Sequence, residues 1–142
     1  MSDLRAIADR DYESVNSHDL EKVTAVLADD IESILPGAPP MRGPEAFRQY
    51  VSVFETAAPD NHMEGRRYFE AGDTIVVEGL YSGTHTGPLM TPTGEIPPTG
   101  RHFEFPYVDI LQARDGKVVS HRVYFDQVAF LAQLGLMPGA ET

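Results

Sequence analysis

The stretch RDGKVVSHRVYFDQVAFLAQLGL, from Arg114 to Leu136, decides how this chain folds. Its Asp115-Gly116 pair stands between two runs that are rich in β-branched and aromatic residues. Asp-Gly in that setting is a strong short-range signal for a β-hairpin. We therefore expect strands over residues 101–114 and 117–125, joined by a tight turn.

The register of this hairpin determines which side chains share a face. An uninterrupted pairing that starts with Arg114 opposite Lys117 places Asp109 opposite Arg122. Because side chains alternate along a strand, one face then carries Phe105, Tyr107, Asp109, Arg122, Tyr124 and Asp126. The other face carries Val108, Ile110, His121, Val123 and Phe125. The first face mixes aromatic rings with two carboxylates and a guanidinium, which favours a ligand pocket over a dry core.

Asp126 closes the second strand, directly before a helical segment at 127–134 that Gly135 ends. In the register above, its carboxylate points into the expected pocket, which makes Asp126 the leading candidate for a catalytic acid/base. The alternative is structural, because aspartate is also a good N-cap for a helix that begins at Gln127.

Composition limits the classes of function. The chain has 142 residues, no cysteine, a formal net charge of −11 and a pI near 4.7. An acidic surface argues against nucleic acid or an anionic membrane as partner, and the lack of cysteine excludes disulfides and thiolate chemistry. No signal-peptide pattern or apolar run of 18 residues is present. We expect one domain over residues 1–142, located in the cytoplasm.

The order of elements predicts an α+β domain. Helical patterns cover residues 3–17, 20–28 and 44–58, with one short strand at 31–35 between the second and third. Residues 61–71 and 74–86 are strand-like and precede the hairpin. Helices gathered on one side of an antiparallel sheet, if the sheet is strongly curved, enclose a cone-shaped cavity.

Two further segments bear on that cavity. In the third helix, Phe47, Tyr50, Val51 and Phe54 recur at helical spacing, so this stripe packs in the core, lines a pocket, or does both. The segment 87–100 contains four prolines and is long for a compact domain, as expected for a functional or mobile loop.

Several short motifs resemble those of a known family. They are GTHTG at 83–87, PTGR at 98–101, DGKV at 115–118, YFD at 124–126 and QLGL at 133–136. Together they resemble the SnoaL-like polyketide and ester cyclases, which have the cone fold of nuclear transport factor 2 and of ketosteroid isomerase. The resemblance covers nearly the whole chain in the order of its elements.

The resemblance implies a cofactor-free enzyme that closes a ring by intramolecular aldol condensation on a hydrophobic, carbonyl-bearing small molecule. It implies an essential aspartate at the end of the last strand, which Asp126 matches, and a supporting histidine, for which His85 and His102 are candidates. It also implies a homodimer or higher homo-oligomer that associates through the convex face of the sheet, at Val108, Ile110, Val123 and Phe125.

The expected chemistry is proton transfer at carbon. A carboxylate in an apolar pocket has a raised pKa and can remove and return a proton near neutral pH. Arg122, oriented by Asp109, would stabilise an enolate oxygen. The alternative is that Arg122 and Asp109 form a structural ion pair across the two strands. Tyr107 and Tyr124 would donate hydrogen bonds to substrate or simply pack. The histidines are too scattered for a metal site.

Other readings of the same residues remain open. The domain could be a non-catalytic small-molecule binder or dimerisation module, in which Asp126 is only a cap. It could also be an epoxide hydrolase, in which Asp109, Arg122 and Asp126 together activate water, or a ketosteroid-isomerase-like enzyme of the same fold.

Overall fold

The computed structural model describes residues 3–136, and within that range it has four helices and eight strands. The helices are α1 (Asp3–Asn16), α2 (Leu20–Val23), α3 (Pro44–Ala57) and α4 (Gln127–Gln133). The strands are β1 (Leu27–Ile34), β2 (Met41–Arg42), β3 (His62–Ala71), β4 (Thr74–Thr84), β5 (Leu89–Thr91), β6 (Gly94–Ile96), β7 (His102–Arg114) and β8 (Lys117–Phe125).

The elements differ from the sequence prediction in three places. Met41–Arg42 is a second short strand between α2 and α3, where only one was expected. The helix expected over 20–28 ends at Val23, and residues 27–34 form a longer strand than expected. The segment expected to be a loop at 87–100 contains the small hairpin of β5 and β6. Among the described residues, no helix is both long enough and apolar enough to cross a membrane.

Six strands form one mixed sheet in the order β2-β1-β8-β7-β4-β3. The pairs β8–β7, β7–β4 and β4–β3 are antiparallel, as expected, but β1 joins β8 in parallel. A parallel neighbour requires a crossover connection, and here that connection contains β2, α3 and the strands that follow. Helices α1 and α3 cover one face of the sheet, so the α+β class is confirmed.

The hairpin of β7 and β8 begins as the sequence predicts. Asp115 and Gly116 both have positive φ, of 53° and 76°, as a two-residue turn matched to strand twist requires. Arg114 lies opposite Lys117, and Ala113 lies opposite Val118.

One residue later the register shifts. Gln112 lies opposite Ser120, so Val119 is an extra residue in β8 and forms a β-bulge. From there on Asp109 lies opposite Val123 instead of Arg122. Because a shift of one residue exchanges the two faces of a strand, the predicted set of inward-facing residues is wrong for β8.

The corrected faces separate apolar from charged side chains. On the concave face, under the helices, Phe105, Tyr107 and Asp109 of β7 are joined by His121, Val123 and Phe125 of β8. Arg122 and Tyr124 are exposed on the convex face together with the half-buried Val108 and Ile110. Of the four residues predicted for a dimer face, Val123 and Phe125 therefore lie on the opposite side.

The core has two parts that leave space between them. Helix α1 packs Ile7, Tyr12 and Val15 against Val77 and Leu111 of the sheet. A second, aromatic cluster joins α4 and the β5–β6 hairpin to the start of β7, through Leu89, Phe103, Phe105, Phe130 and Leu134.

Helix α4 begins at Asp126 and closes the aromatic cluster. The Ala129 N–H donates to Asp126 Oδ1 at 3.0 Å, which satisfies one of the free amides in the first turn. The helix is followed by Gly135 at φ 74°, a conformation that suits glycine after a helix.

We predict that Asp126→Ala lowers the free energy of unfolding by about 1 kcal/mol, because it removes this cap. Asp126→Asn should remain close to wild type, since the asparagine oxygen still accepts the Ala129 N–H. Chemical denaturation of both variants at neutral pH measures the difference. Equal destabilisation by Ala and Asn would contradict a capping role.

Candidate active site

A mostly apolar cavity lies between α1, α3 and the concave face of the sheet. It contains about 690 Å³ of space that no protein atom fills, including its open mouth. Its apolar and aromatic lining residues are Val15, Leu35, Phe47, Tyr50, Val51, Phe54, Met63, Tyr81, Phe105, Tyr107, Val123 and Phe125. Four further polar side chains also line it, namely Asp11, Asn61, Asp109 and His121. An apolar cavity with a few polar side chains is typical of a small-molecule binding site.

Two buried carboxyl groups, Asp11 and Asp109, line this cavity near enough for the charge of Asp11 to act on Asp109. Asp11 lies on the inward stripe of α1, at helical spacing from Ile7 and Val15, and Asp109 points inward from β7. Their exposed fractions are 3% and 2%. Tyr12 Oη donates to Asp109 Oδ2 at 3.2 Å, whereas Asp11 Oδ1 and Asp109 Oδ1 have no hydrogen-bond partner among residues 3–136.

Burial changes the proton affinity of both groups, because the charged form loses its hydration. It raises the pKa of Asp11 to about 7. It also raises the pKa of Asp109 well above its usual value; the negative charge of Asp11 raises it further, and the Tyr12 hydrogen bond opposes the change. Near neutral pH, Asp11 therefore exchanges a proton, and burial favours the protonated form of Asp109.

Tyr107 places its hydroxyl beside this pair and close to the hydroxyl of Tyr12. Its Oη is buried and has no hydrogen-bond partner among the described residues, and its ring lies 6.3 Å from that of Tyr12. Burial raises the pKa of Tyr107, so its hydroxyl keeps its proton and can donate a hydrogen bond.

His121 faces the cavity from β8, contrary to the prediction from an uninterrupted register. Its Nε2 lies 2.6 Å from the buried Ser33 Oγ, and its ring packs edge-on against Phe47 with centroids 4.4 Å apart. Burial lowers the pKa of His121 to about 4. It is therefore a neutral imidazole held in one orientation, suited to hydrogen bonding rather than to carrying charge.

The structure corrects the position of the leading catalytic candidate. Asp126 is exposed, and one of its carboxylate oxygens caps α4; it does not line the cavity. Arg122 and Tyr124 are exposed on the convex face. The predicted ion pair between Asp109 and Arg122 therefore does not form. The three residues expected for an epoxide hydrolase are not brought together either. The cause is the bulge at Val119, which reverses β8 relative to the prediction.

The two histidines that were candidates also lie outside the cavity. His85 is buried beneath the 87–100 segment, where its Nδ1 accepts from the Thr99 N–H at 3.2 Å. His102 is exposed at the start of β7. The remaining predicted residues, Phe54, Phe105, Tyr107 and Asp109, do line the cavity.

Sequence reasoning missed three polar residues of the cavity. Asp11 left a signal, since it occupies an inward position of an otherwise apolar helix stripe. His121 was assigned to the wrong face because nothing in the local sequence marks the bulge. Asn61 follows a turn after α3, and its inward direction depends on the tertiary packing of that turn.

Comparison with known proteins agrees with this architecture. A family model for SnoaL-like polyketide cyclases matches residues 6–134. Aklanonic acid methyl ester cyclase DnrD of Streptomyces peucetius is 33% identical over 110 residues, covering 74% of this chain and 73% of that protein.

Solved structures match over nearly the full length. IdmH of Streptomyces antibioticus superposes with a TM-score of 0.79 at 31% identity, covering 93% of this chain and 98% of that one. A protein of ketosteroid isomerase-like fold from Catenulispora acidiphila superposes with a TM-score of 0.77 at 20% identity, covering 96% and 95%. The likeness to the latter concerns the fold alone. The chain therefore belongs to the SnoaL-like polyketide cyclase family.

Proposed function

We propose that this protein is a cofactor-independent cyclase that closes a ring on a hydrophobic, carbonyl-bearing polyketide ester by intramolecular aldol condensation. The observation that carries the proposal is the buried pair of Asp11 and Asp109, which opens onto an apolar cavity. Relatives that act on polyketide methyl esters, such as the cyclase for aklanonic acid methyl ester, support the substrate class.

The two carboxyl groups divide the work. Asp11, whose burial brings its pKa to about 7, is the general base that removes a proton from the carbon beside a carbonyl. Asp109 keeps its proton and donates a hydrogen bond to the enolate oxygen that forms, together with the Tyr107 hydroxyl. Donors fixed in a site without water stabilise such an oxyanion strongly.

Ring closure then needs no further reagent. The enolate carbon attacks a second carbonyl carbon in the same molecule, a carbon–carbon bond forms, and the carbonyl π electrons become an alkoxide. The proton that Asp11 removed returns to that alkoxide, so the reaction is balanced without an oxidant or reductant. The neutral His121 is placed to hydrogen-bond the second carbonyl and orient it.

We predict that Asp109→Asn and Asp11→Asn lower turnover of aklanonic acid methyl ester by about 10²–10⁴-fold, the usual worth of acid/base assistance. Asp126→Asn is the matched control, and it should change turnover by less than about threefold, since Asp126 is a surface cap. A large loss in Asp126→Asn with near-normal Asp109→Asn would return the catalytic role to Asp126. A wild-type protein that binds the ester but never cyclises it would favour a non-catalytic binder.

The rate of the wild-type enzyme should depend on pH in a defined direction. Because the base form of Asp11 is required, kcat/KM should rise as pH increases through about 7, where Asp11 deprotonates. A profile measured from about pH 5 to pH 9 tests this. A rate that is flat across that range would contradict the assignment of Asp11 as base.

The buried acids should also make stability depend on pH. The pKa of Asp11 is 3.8 when the chain is unfolded and about 7 when it is folded. Protonation of Asp11 therefore stabilises the folded state. This contribution to the free energy of unfolding is fully present below about pH 4 and is lost as the pH rises through about 7. Asp11→Asn removes the effect. We predict that this variant gains up to roughly 4 kcal/mol of unfolding free energy relative to wild type between those two pH values. Denaturant titrations of both proteins at about pH 4 and about pH 7 measure the gain. If the difference in unfolding free energy between variant and wild type were the same at both pH values, the prediction would be refuted.

We also propose that two copies associate through the convex face. Phe69 is 54% exposed and Tyr124 is 51% exposed on that face, and the half-buried Val108 and Ile110 lie beside them. Exposed apolar side chains grouped together are typical of association surfaces. Light scattering of wild type and of Val108→Glu should show a dimer and a monomer, respectively. A monomeric wild type would remove this proposal without affecting the cyclase assignment.

A further inference from the structure

A second polar position lies in the cavity, away from the carboxyl pair. Asn61 precedes β3, is 2% exposed, and lines the same cavity. Its backbone N–H donates to Ala58 O at 2.9 Å, which fixes the turn that joins α3 to β3.

Hydrogen bonds determine which end of the Asn61 amide is free. Nδ2 donates to Glu55 Oε1 at 2.9 Å and to Ala58 O at 2.8 Å. Both amide hydrogens are therefore used, and the reverse orientation would set Oδ1 against two acceptors. No described residue donates to Oδ1. The side chain thus offers one unpaired acceptor at the wall of an apolar cavity.

Glu55 is itself held in place from outside. Its side chain is 14% exposed, and His18 Nδ1 lies 3.0 Å from Oε1 and 2.9 Å from Oε2. The turn is already closed by Ala58 O, which accepts from the backbone N–H of Asn61. The further contacts from His18 to Glu55 and from Glu55 to Asn61 are therefore not needed to form the turn, and they serve to orient the Asn61 side chain.

The sheet register places Asn61 and the carboxyl pair at opposite ends. Met63, Tyr81 and Phe105 lie in one row across β3, β4 and β7. Asn61 is two residues before that row and Asp109 is four residues after it, in strands that run in the same direction. At about 3.3 Å per residue this gives a separation of up to about 20 Å along the strands.

We propose that Asn61 Oδ1 accepts a hydrogen bond from a hydroxyl group that the substrate carries at the end remote from its reacting carbonyl, with Glu55 as the positioning residue. This inference rests on the proposed function and specifies its substrate as a hydroxylated one. A ligand without the donor leaves the Asn61 oxygen desolvated and unpaired, which is a strong basis for discrimination.

The test compares two flat aromatic ketones, 4-hydroxychalcone and 4-methoxychalcone, which differ only in the donor. The protein has six tyrosines and no tryptophan, so quenching of tyrosine fluorescence reports the Kd of each. Wild type should bind the hydroxy compound about tenfold more tightly than its methyl ether. In Asn61→Leu this preference should fall to nearly one, with affinity for the methyl ether unchanged or higher.

Two variants of Glu55 test the positioning role without changing Asn61. Glu55→Gln retains an oxygen that accepts from Asn61 Nδ2, so the preference for the hydroxy compound should persist. Glu55→Leu removes the acceptor, and the preference should fall at least about threefold as the amide loses its fixed orientation.

Equal affinities in wild type, no binding of either ketone, or a preference that survives in both Asn61→Leu and Glu55→Leu would overturn the inference. These outcomes are measured by binding alone, so they are separate from cyclase turnover. One combination of results would separate the two proposals. If Asp109→Asn lost turnover but Asn61→Leu kept the preference for the hydroxy ketone, the proposed function would stand and only the role of Asn61 would be removed.

Discussion

One extra residue in a strand sets the chemistry of the cavity. Val119 forms a bulge between the Ala113–Val118 and Gln112–Ser120 pairs of the central hairpin. Beyond it, every inward position of β8 holds an uncharged side chain, and Arg122 lies in solvent. Without the bulge a guanidinium would face Asp109 across the strands, and a positive neighbour lowers the pKa of a carboxyl group. The bulge therefore keeps Arg122 out of the cavity and away from Asp109.

Desolvation suits the carboxyl pair to the proposed proton transfer. Burial brings the pKa of Asp11 to about 7 and raises the pKa of Asp109 well above its usual value. In the proposed reaction, one carboxyl group is therefore the base and the other is the hydrogen-bond donor. The same burial costs folding free energy, because the unfolded chain ionises both groups more readily. Burial of the two carboxyl groups is therefore expected to lower the free energy of unfolding of the whole domain.

The cavity is polar at its two ends and apolar between them. At one end, in the proposed reaction, Asp11 is the proton acceptor, and Asp109 and Tyr107 are hydrogen-bond donors to a carbonyl that becomes an enolate. At the other, Asn61 provides a fixed acceptor. Rings such as those of Phe54, Tyr81 and Phe105 separate the ends. A substrate with groups matching both ends would be held in one direction, which a ring closure between two specific carbons requires.

Local sequence determined the elements of this fold and their order. The periodicity of α1 and α3, the Asp115-Gly116 turn and the glycine after α4 each depend on a few neighbouring residues, so the α+β class and the family resemblance could be predicted. Phe54, Phe105, Tyr107 and Asp109 were also expected at the cavity. For Asp109 the expectation rests on β7, which lies before the bulge in the chain and keeps its predicted alternation.

Only the tertiary structure decided the rest, because it depends on contacts between distant segments. The bulge forms where β1 pairs in parallel with β8, and no residue near Val119 announces it. Asp11 becomes a partner of Asp109 only when α1 packs on the sheet, 98 residues away along the chain. A carboxyl group acquires its pKa from the solvent it loses on folding, and that loss is a property of the assembled fold.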